Sequence, residues 1–252
     1  ISMPTDTAQL ATIRKVLPEQ FLKRFDRLWR KQRAELLRIV GTPADISKIT
    51  KEQWKKWEDE RAAALLALML GYTLAQSRQA IEELRFMEVP RIDRTEAAIE
   101  RRIISTTRER ARFASRTIGT TTRSRLEDGW NPEEVLSESR SRMIVTTEMT
   151  AARSASLMGM FTELRRIGVE CDLVWRLRPC MHCEVCPLLA DTSYDFWSQF
   201  IPKGPPVHPH CCCELELIFG SKQQLLRSRR IKVGPRARFV HQAIQRSGFK
   251  VR

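Results

Sequence analysis

No stretch of this chain is apolar for long enough to cross a bilayer. The longest, Ala62 to Leu70, is about half of what a spanning helix needs, and Glu58, Asp59, Glu60 and Arg61 stand directly before it. It predicts a core helix, and no membrane partner is expected. The start, Ile1-Ser2-Met3 with polar and acidic residues soon after, has neither the basic stretch nor the apolar run of a secretory signal. There is no internal repeat and no low-complexity tract, which excludes a repeat array. Evenly spread cysteines are also missing. The seven are an odd count, and Cys180, Cys183, Cys211, Cys212 and Cys213 fall in two tight groups, unlike a secreted disulfide scaffold. The expectation is synthesis in a reducing compartment, where clustered thiols hold metal more often than they pair.

Acidic residues are lacking in one place above all. After Gly220 there is no Asp or Glu, while Lys222, Arg227, Arg229, Arg230, Lys232, Arg236, Arg238, Arg246, Lys250 and Arg252 are all there. The whole chain of 252 residues has 44 Lys and Arg against 30 Asp and Glu, a formal charge of +14, so this tail holds ten of the fourteen excess charges. Such an excess favours acidic partners, above all nucleic acid, with Lys222, Arg227, Arg229, Arg230, Lys232, Arg236 and Arg238 as the contacting residues. The plainer alternative is a solvated tail that keeps the protein soluble.

What is present in quantity is helical periodicity. Thr5 to Val40 places Phe21, Phe25, Leu28, Leu36 and Ile39 on one face with Lys and Arg opposite, and Pro18 predicts a kink or a division into two helices. Gly41-Thr42-Pro43 stops it. Thr50 then reads as an N-cap, with Gln53 closing a capping box ahead of a second helix to about Phe86. Val89-Pro90 interrupts, and Arg94 to Ile118 predicts a third helix ending near Gly119. Asn131-Pro132-Glu133-Glu134 starts a fourth, running to about Arg166 with a break midway. Trp54 and Trp57 read as core packing between helices or as a protein-binding surface.

The character changes at Gly168. Val169 to Trp175 alternates loosely and Cys213 to Phe219 more clearly, predicting two strands that pair with the cysteine groups at their ends. Pro202, Gly204, Pro205, Pro206 and Pro209 mark a stiff loop between them. The fold class is thus mainly α, with long helices over the first two-thirds and then a small α+β module carrying a hairpin-like sheet and a Cys/His knot.

Cys180-x-x-Cys183 and His208-x-x-Cys211-x-Cys213 are two short-spaced donor pairs, the arrangement by which each turn offers two ligands to one tetrahedral ion. Closing the 24-residue loop between Cys183 and His208 costs about 3 kcal/mol. Structural zinc binding, roughly 10–16 kcal/mol in apparent terms, offsets this. Cys186, His182, His210 and Cys212 stand close by, so there are more donors than places. If Cys211 to Cys213 is extended, Cys211 and Cys213 point to one side and Cys212 to the other. The expected ligands to a structural Zn2+ are Cys180, Cys183, His208 and one of Cys211 or Cys213. The plain alternative is a set of buried reduced thiols or one disulfide. A catalytic metal is disfavoured because a thiolate-rich site leaves no open position, and no group is placed to orient a Cys nucleophile paired with His208. Glu148 reads as one half of a structural ion pair with Arg140, Arg142 or Arg153, since no second carboxylate or histidine is set for acid/base work. The chain is expected not to be an enzyme.

Taken in order, Met143-Ile144-Val145-Thr146-Thr147-Glu148-Met149-Thr150-Ala151-Ala152, Trp175, Cys180-x-x-Cys183 and Pro205-Pro206-Val207-His208-Pro209-His210-Cys211-Cys212-Cys213 resemble the phage Mu F-like minor head protein family. The resemblance covers roughly Asn131 to Phe219, and the Pro-Pro-x-His-Pro-x-Cys-x-Cys run is its most specific part. Thr146 and Cys212 stand where that family usually has Arg.

The resemblance implies a virion component of head morphogenesis at the portal vertex, present in few copies. Implied partners are the portal protein, capsid or head-tail connector proteins and packaged double-stranded DNA, with which some relatives are ejected. On this reading residues 1–130 are a helical docking part, 131–220 the Mu F-like module, and 221–252 a DNA-contacting tail. A zinc-ribbon nucleic-acid-binding factor outside any capsid is the competing expectation. A His-Asn-His metal nuclease lacks the Asn and second catalytic His it needs.

Overall fold

The computed structural model describes residues 7–41, 45–86, 88–89, 91–178, 182–209, 211, 213–219 and 233–247; side chains are described from Lys23 onward in the first helix and from Ala237 onward in the last. In chain order the elements are α1 (Thr7–Val40), a 3-10 turn (Ile46–Lys48), α2 (Lys51–Phe86), α3 (Ile92–Glu127), α4 (Pro132–Val135), α5 (Glu138–Arg166), β1 (Cys171–Arg176), α6 (Cys186–Leu189), α7 (Tyr194–Trp197), β2 (Glu214–Phe219) and α8 (Val233–Ser247). The chain is mainly helical with one small sheet, as its periodicity predicts. It forms two compact units, Ile1–Leu68 with Ala111–Val145 and Met69–Arg110 with Thr146–Arg252. Each is discontinuous in sequence because α2 and α3 contribute a segment to both.

In the first unit α1 buries Phe25, Trp29, Gln32, Leu36 and Val40, a stripe with steps of three and four. Leu28 and Ile39 are half-buried at its margin, and the side chain of Phe21 lies outside the described residues. The helix does not divide at Pro18. A proline forfeits one hydrogen bond, and in a helix of 34 residues the remaining ladder carries through. At the start of α2 the Thr50 hydroxyl accepts from Gln53 N–H at 3.2 Å, as a cap should. The reciprocal half of the predicted capping box is absent, because the Gln53 amide donates instead to Glu35, which also accepts from the Trp57 indole at 2.7 Å.

The third helix runs well beyond the predicted end at Gly119, to Glu127. Gly119 is interior for a steric reason: a Cβ built there would lie 3.2 Å from Nη2 of Arg61, so the residue makes room for a guanidinium and does not end the helix. Around it α3 buries Ala111, Ala114, Ser115, Ile118, Thr122 and Leu126, mostly small or hydroxyl side chains, and the Ser115 hydroxyl donates to the Glu58 carbonyl at 2.6 Å. The predicted fourth helix breaks close to its start. Asn131 caps α4 and Pro132 occupies its first turn, but the Arg140 guanidinium takes the Val135 carbonyl at 2.5 Å. That carbonyl would otherwise accept the N–H four residues on, so the ladder restarts at Glu138.

The second unit surrounds one apolar core. Ile81 and Leu84 of α2, Ile99 and Ile103 of α3, Met160, Phe161 and Leu164 of α5, and Val240 and Ala243 of α8 close over β1 and β2. Gly168, with φ +87, ends α5, and the Val169 N–H returns to the Leu164 carbonyl at 3.0 Å. β1 and β2 pair antiparallel as predicted, from Cys171 opposite Phe219 to Arg176 opposite Glu214. β1 alternates only loosely in sequence because Cys171 to Trp175 are buried on both faces. Trp197 locks it: its indole donates to the Leu173 carbonyl at 2.9 Å, and its ring meets Trp175 and Tyr194 edge-on at 5.8 and 5.2 Å. Among the described residues no helix is long and apolar enough to cross a membrane, and the Ala62 to Leu70 run buries Leu65, Leu68 and Met69.

Filling the space at Gly119 tests the reason for its position. Gly119→Leu is expected to destabilise the protein by about 1–3 kcal/mol, as overpacking does. Gly119→Ala should cost less, since the gain in helix propensity of about 1 kcal/mol opposes a small shift of Arg61. Urea unfolding midpoints measure both, and an unchanged midpoint for the leucine variant contradicts the packing described.

Candidate metal centre

The antiparallel register brings the two cysteine groups together. Because Arg176 lies opposite Glu214, the chain leaving β1 and the chain entering β2 share one end of the ribbon. From β1 the chain reaches Cys183 and then α6, whose first residue is Cys186 and whose first turn contains Pro187. On the other side His208 to Cys211 is a tight turn in which the Cys211 N–H donates to the His208 carbonyl at 3.1 Å. Helix α5 lies alongside. The Thr150 hydroxyl donates to the Cys211 carbonyl at 3.2 Å, and Arg153 pairs with Glu214, which Arg178 also engages.

Two overlapping groups of donors result. Cys183, Cys186 and His208 form one, and Cys186, Cys211 and Cys213 the other, each with its ligand atoms within 4.8 Å of one another. The Cys183 and Cys186 sulfurs are 3.4 Å apart and those of Cys186 and Cys211 are 4.0 Å apart. A tetrahedral ion with metal–sulfur bonds of about 2.3 Å needs sulfurs about 3.8 Å apart, so these spacings suit one. His208 Nδ1 lies 2.6 Å from the Pro209 carbonyl. Nδ1 therefore carries the proton, and Nε2 keeps the lone pair a metal uses. His182 Nδ1 adds a further nitrogen 3.7 Å from Cys213 Sγ. The residues present can hold a metal ion.

Of the predicted ligands, Cys183, His208, Cys211 and Cys213 come together, and Cys211 and Cys213 face the same cluster as strand alternation predicts. Cys180 lies outside the described residues, as do His210 and Cys212. Cys186, counted in the sequence only as a nearby donor, belongs to both groups. Cys180, Cys183 and Cys186 are evenly spaced by three, so the C-x-x-C spacing alone does not choose between the two possible pairs. Pro187 was the available signal, since proline favours the first turn of a helix and so fixes Cys186 at its start.

The thiols polarise one another. Cys183 is lowered to about 5, first by its hydrogen bond with Cys186, and Cys211 is lowered by its hydrogen bonds with Cys186 and Cys213. Cys186 is raised by its contacts with Cys183, Cys211 and Cys213. Cys213 reaches about 12: the Cys186 hydrogen bond lowers it, but the hydrogen bond with Cys211 and burial together prevail. Cys171 stands apart on β1, pushed up by burial to about 11. The five described cysteines are free thiols. Thiols bind a metal as thiolates, so an ion held here would displace these protons.

Glu148 is an ion-pair partner, but not of the arginines nearest in sequence. It receives Arg110 of α3 side-on, Nε to Oε2 at 2.6 Å and Nη2 to Oε1 at 2.9 Å. Arg153 is directed to Glu214 and Arg140 to the Val135 carbonyl. Burial raises the Glu148 carboxyl although Arg110 opposes the shift. Of the tail residues, Lys222, Arg227, Arg229, Arg230 and Lys232 lie outside the described residues; Arg236 is on α8 with its side chain undescribed, and Arg238 is exposed on that helix.

Cys186→Ser breaks both groups and is expected to abolish metal retention, whereas Cys213→Ser leaves Cys183, Cys186, His208 and Cys211 and should retain most of it. His208→Ala should lower metal content and loosen the region after Gly168 while the first unit stays folded. Elemental analysis of the purified variants with hydrogen exchange across the chain reads all three; equal metal content in the two serine variants contradicts the shared role of Cys186. Comparisons with family models, with curated proteins and with solved structures found no match to this chain.

Proposed function

We propose that this protein is a minor head protein of a tailed phage, similar to the Mu F-like family, acting in head morphogenesis at the portal vertex. The observation that carries the reading is the meeting of the two motif segments. The helix with Thr147-Glu148-Met149-Thr150 and the His208 to Cys213 run are about sixty residues apart in sequence, yet Thr150 bonds the Cys211 carbonyl at 3.2 Å and Arg153 pairs with Glu214. A motif whose parts support one another in space is a structural module, and one held by thiolates and an imidazole needs no substrate to account for it.

On this reading the ion is Zn2+, which thiolate and imidazole donors at these spacings suit, and its role is structural: it pins a rigid block at the end of the β ribbon. The long helices of residues 1–130 dock on the portal or on head-tail connector proteins. The basic residues after Gly220 contact packaged double-stranded DNA by neutralising phosphates, so that binding is weak, independent of sequence and steeply dependent on salt. The exposed Arg238 on α8 supports that assignment. The protein is assembled in the host cytoplasm and resides in the virion.

Quantitative mass spectrometry of phage particles, intact and after genome release, tests the proposal. The expected result is a few copies per intact particle. Absence from particles overturns it, and sequence-selective DNA binding at physiological salt by a protein absent from particles points to a zinc-ribbon nucleic-acid-binding factor outside any capsid.

A further inference from the structure

Within the first unit two arginines are enclosed that the metal centre does not touch. Arg61 of α2 is 2 % exposed and Arg140 of α5 is 8 % exposed, and neither forms an ion pair among the described residues. Arg61 Nη1 donates to Gln32 Oε1 at 2.9 Å, a neutral acceptor, and Arg140 Nη1 donates to the Val135 carbonyl, another. The Nε–H and Nη2–H groups of Arg61 are buried and meet no acceptor among the described residues. The Trp29 indole N–H and the Thr122 hydroxyl, in the same unit, are buried and unsatisfied in the same way.

Nearby carboxylates are committed elsewhere. Glu58 pairs with Arg116 at 3.4 Å, and Glu60 accepts from Lys31 at 3.2 Å and from the Gln32 amide at 3.1 Å. Burial lowers Arg61 to about 10, with Arg140 adding to the effect against the more distant pull of Glu58 and Glu60, and burial with the charge of Arg125 lowers Arg140 to about 10. Both guanidiniums therefore stay charged at neutral pH. Enclosed cations with no carboxylate in contact, together with donors lacking acceptors, are among the costliest arrangements in a protein interior. One missing species, an anion that accepts hydrogen bonds, relieves both at once.

We infer that the first unit binds a small inorganic anion at the Arg61 guanidinium, held by its Nε–H and within the field of Arg140. The size follows from the packing. Arg61 is closed off from solvent, and α3 crosses its Nη2 side so tightly that a Cβ at Gly119 would sit 3.2 Å away. A halide fits those limits better than a side-chain carboxylate from another protein, which needs an open path.

Unfolding of the metal-loaded full-length protein in sodium chloride and in sodium gluconate at equal ionic strength tests this. Gluconate is too large for the position. The expected result is a midpoint that rises with chloride but not with gluconate, the folded-to-unfolded ratio approaching a tenfold gain for each tenfold rise in chloride above the dissociation constant. Arg61→Met should lose that dependence. Equal midpoints in the two salts overturn the inference, and so does a chloride effect undiminished in Arg61→Met, which would place the anion on the basic tail. Should the variant not fold, crystals of the wild-type protein grown in bromide decide the matter. An anomalous peak within hydrogen-bonding distance of Arg61 Nε supports the site, and a water in that place overturns it.

Discussion

A two-stranded ribbon of six residues per strand does not hold its shape alone in water. Everything in the second unit follows from how β1 and β2 are supported. β1 is covered by the aromatic frame of Phe161, Tyr194, Trp175 and Trp197 and by the apolar sides of α3 and α5. At the end where Arg176 faces Glu214 the core continues through Val185, Leu189 and the cysteines. There the sulfurs of Cys183, Cys186, Cys211 and Cys213 and the imidazole of His208 occupy the place that a larger domain would fill with further apolar side chains.

Helix α5 is the element that makes these supports a single structure. Along one helix, Glu148 holds α3 through Arg110, Thr150 holds the Cys211 turn, Arg153 holds the first residue of β2, and Phe161 and Leu164 enter the core. The side chains that reach outward from it are polar near the cysteines and apolar further on. A helix so divided has a small amphipathic signal, and the contacts explain why: it is surrounded on different sides by different chemistry, not laid across one apolar surface.

The class of the fold was legible because helical period, caps and strand alternation act locally. The pairing of β1 with β2 followed from two alternating segments with cysteines at their ends. Other features depend on distant residues and left no local trace. Gly119 looks like a helix end until Arg61 is placed beside it, and the partner of Glu148 is an arginine 38 positions away in sequence, not one of the near neighbours. The break after α4 is likewise set by where the Arg140 guanidinium goes. In the metal centre the donor types were readable and the choice among them was not, since three equally spaced cysteines offer two identical pairs; among the described residues Cys183 joins Cys186.

The His208 imidazole leans on the carbonyl of Pro209. Its acceptor is main chain and belongs to the very next residue. This hold on the imidazole therefore depends on a few torsions within the loop. Where a ligand histidine depends instead on a carboxylate from elsewhere, loss of that side chain by mutation frees the ring to turn. Here the supporting partner cannot be substituted away, and drift in the surrounding sequence leaves the ring's bearing intact.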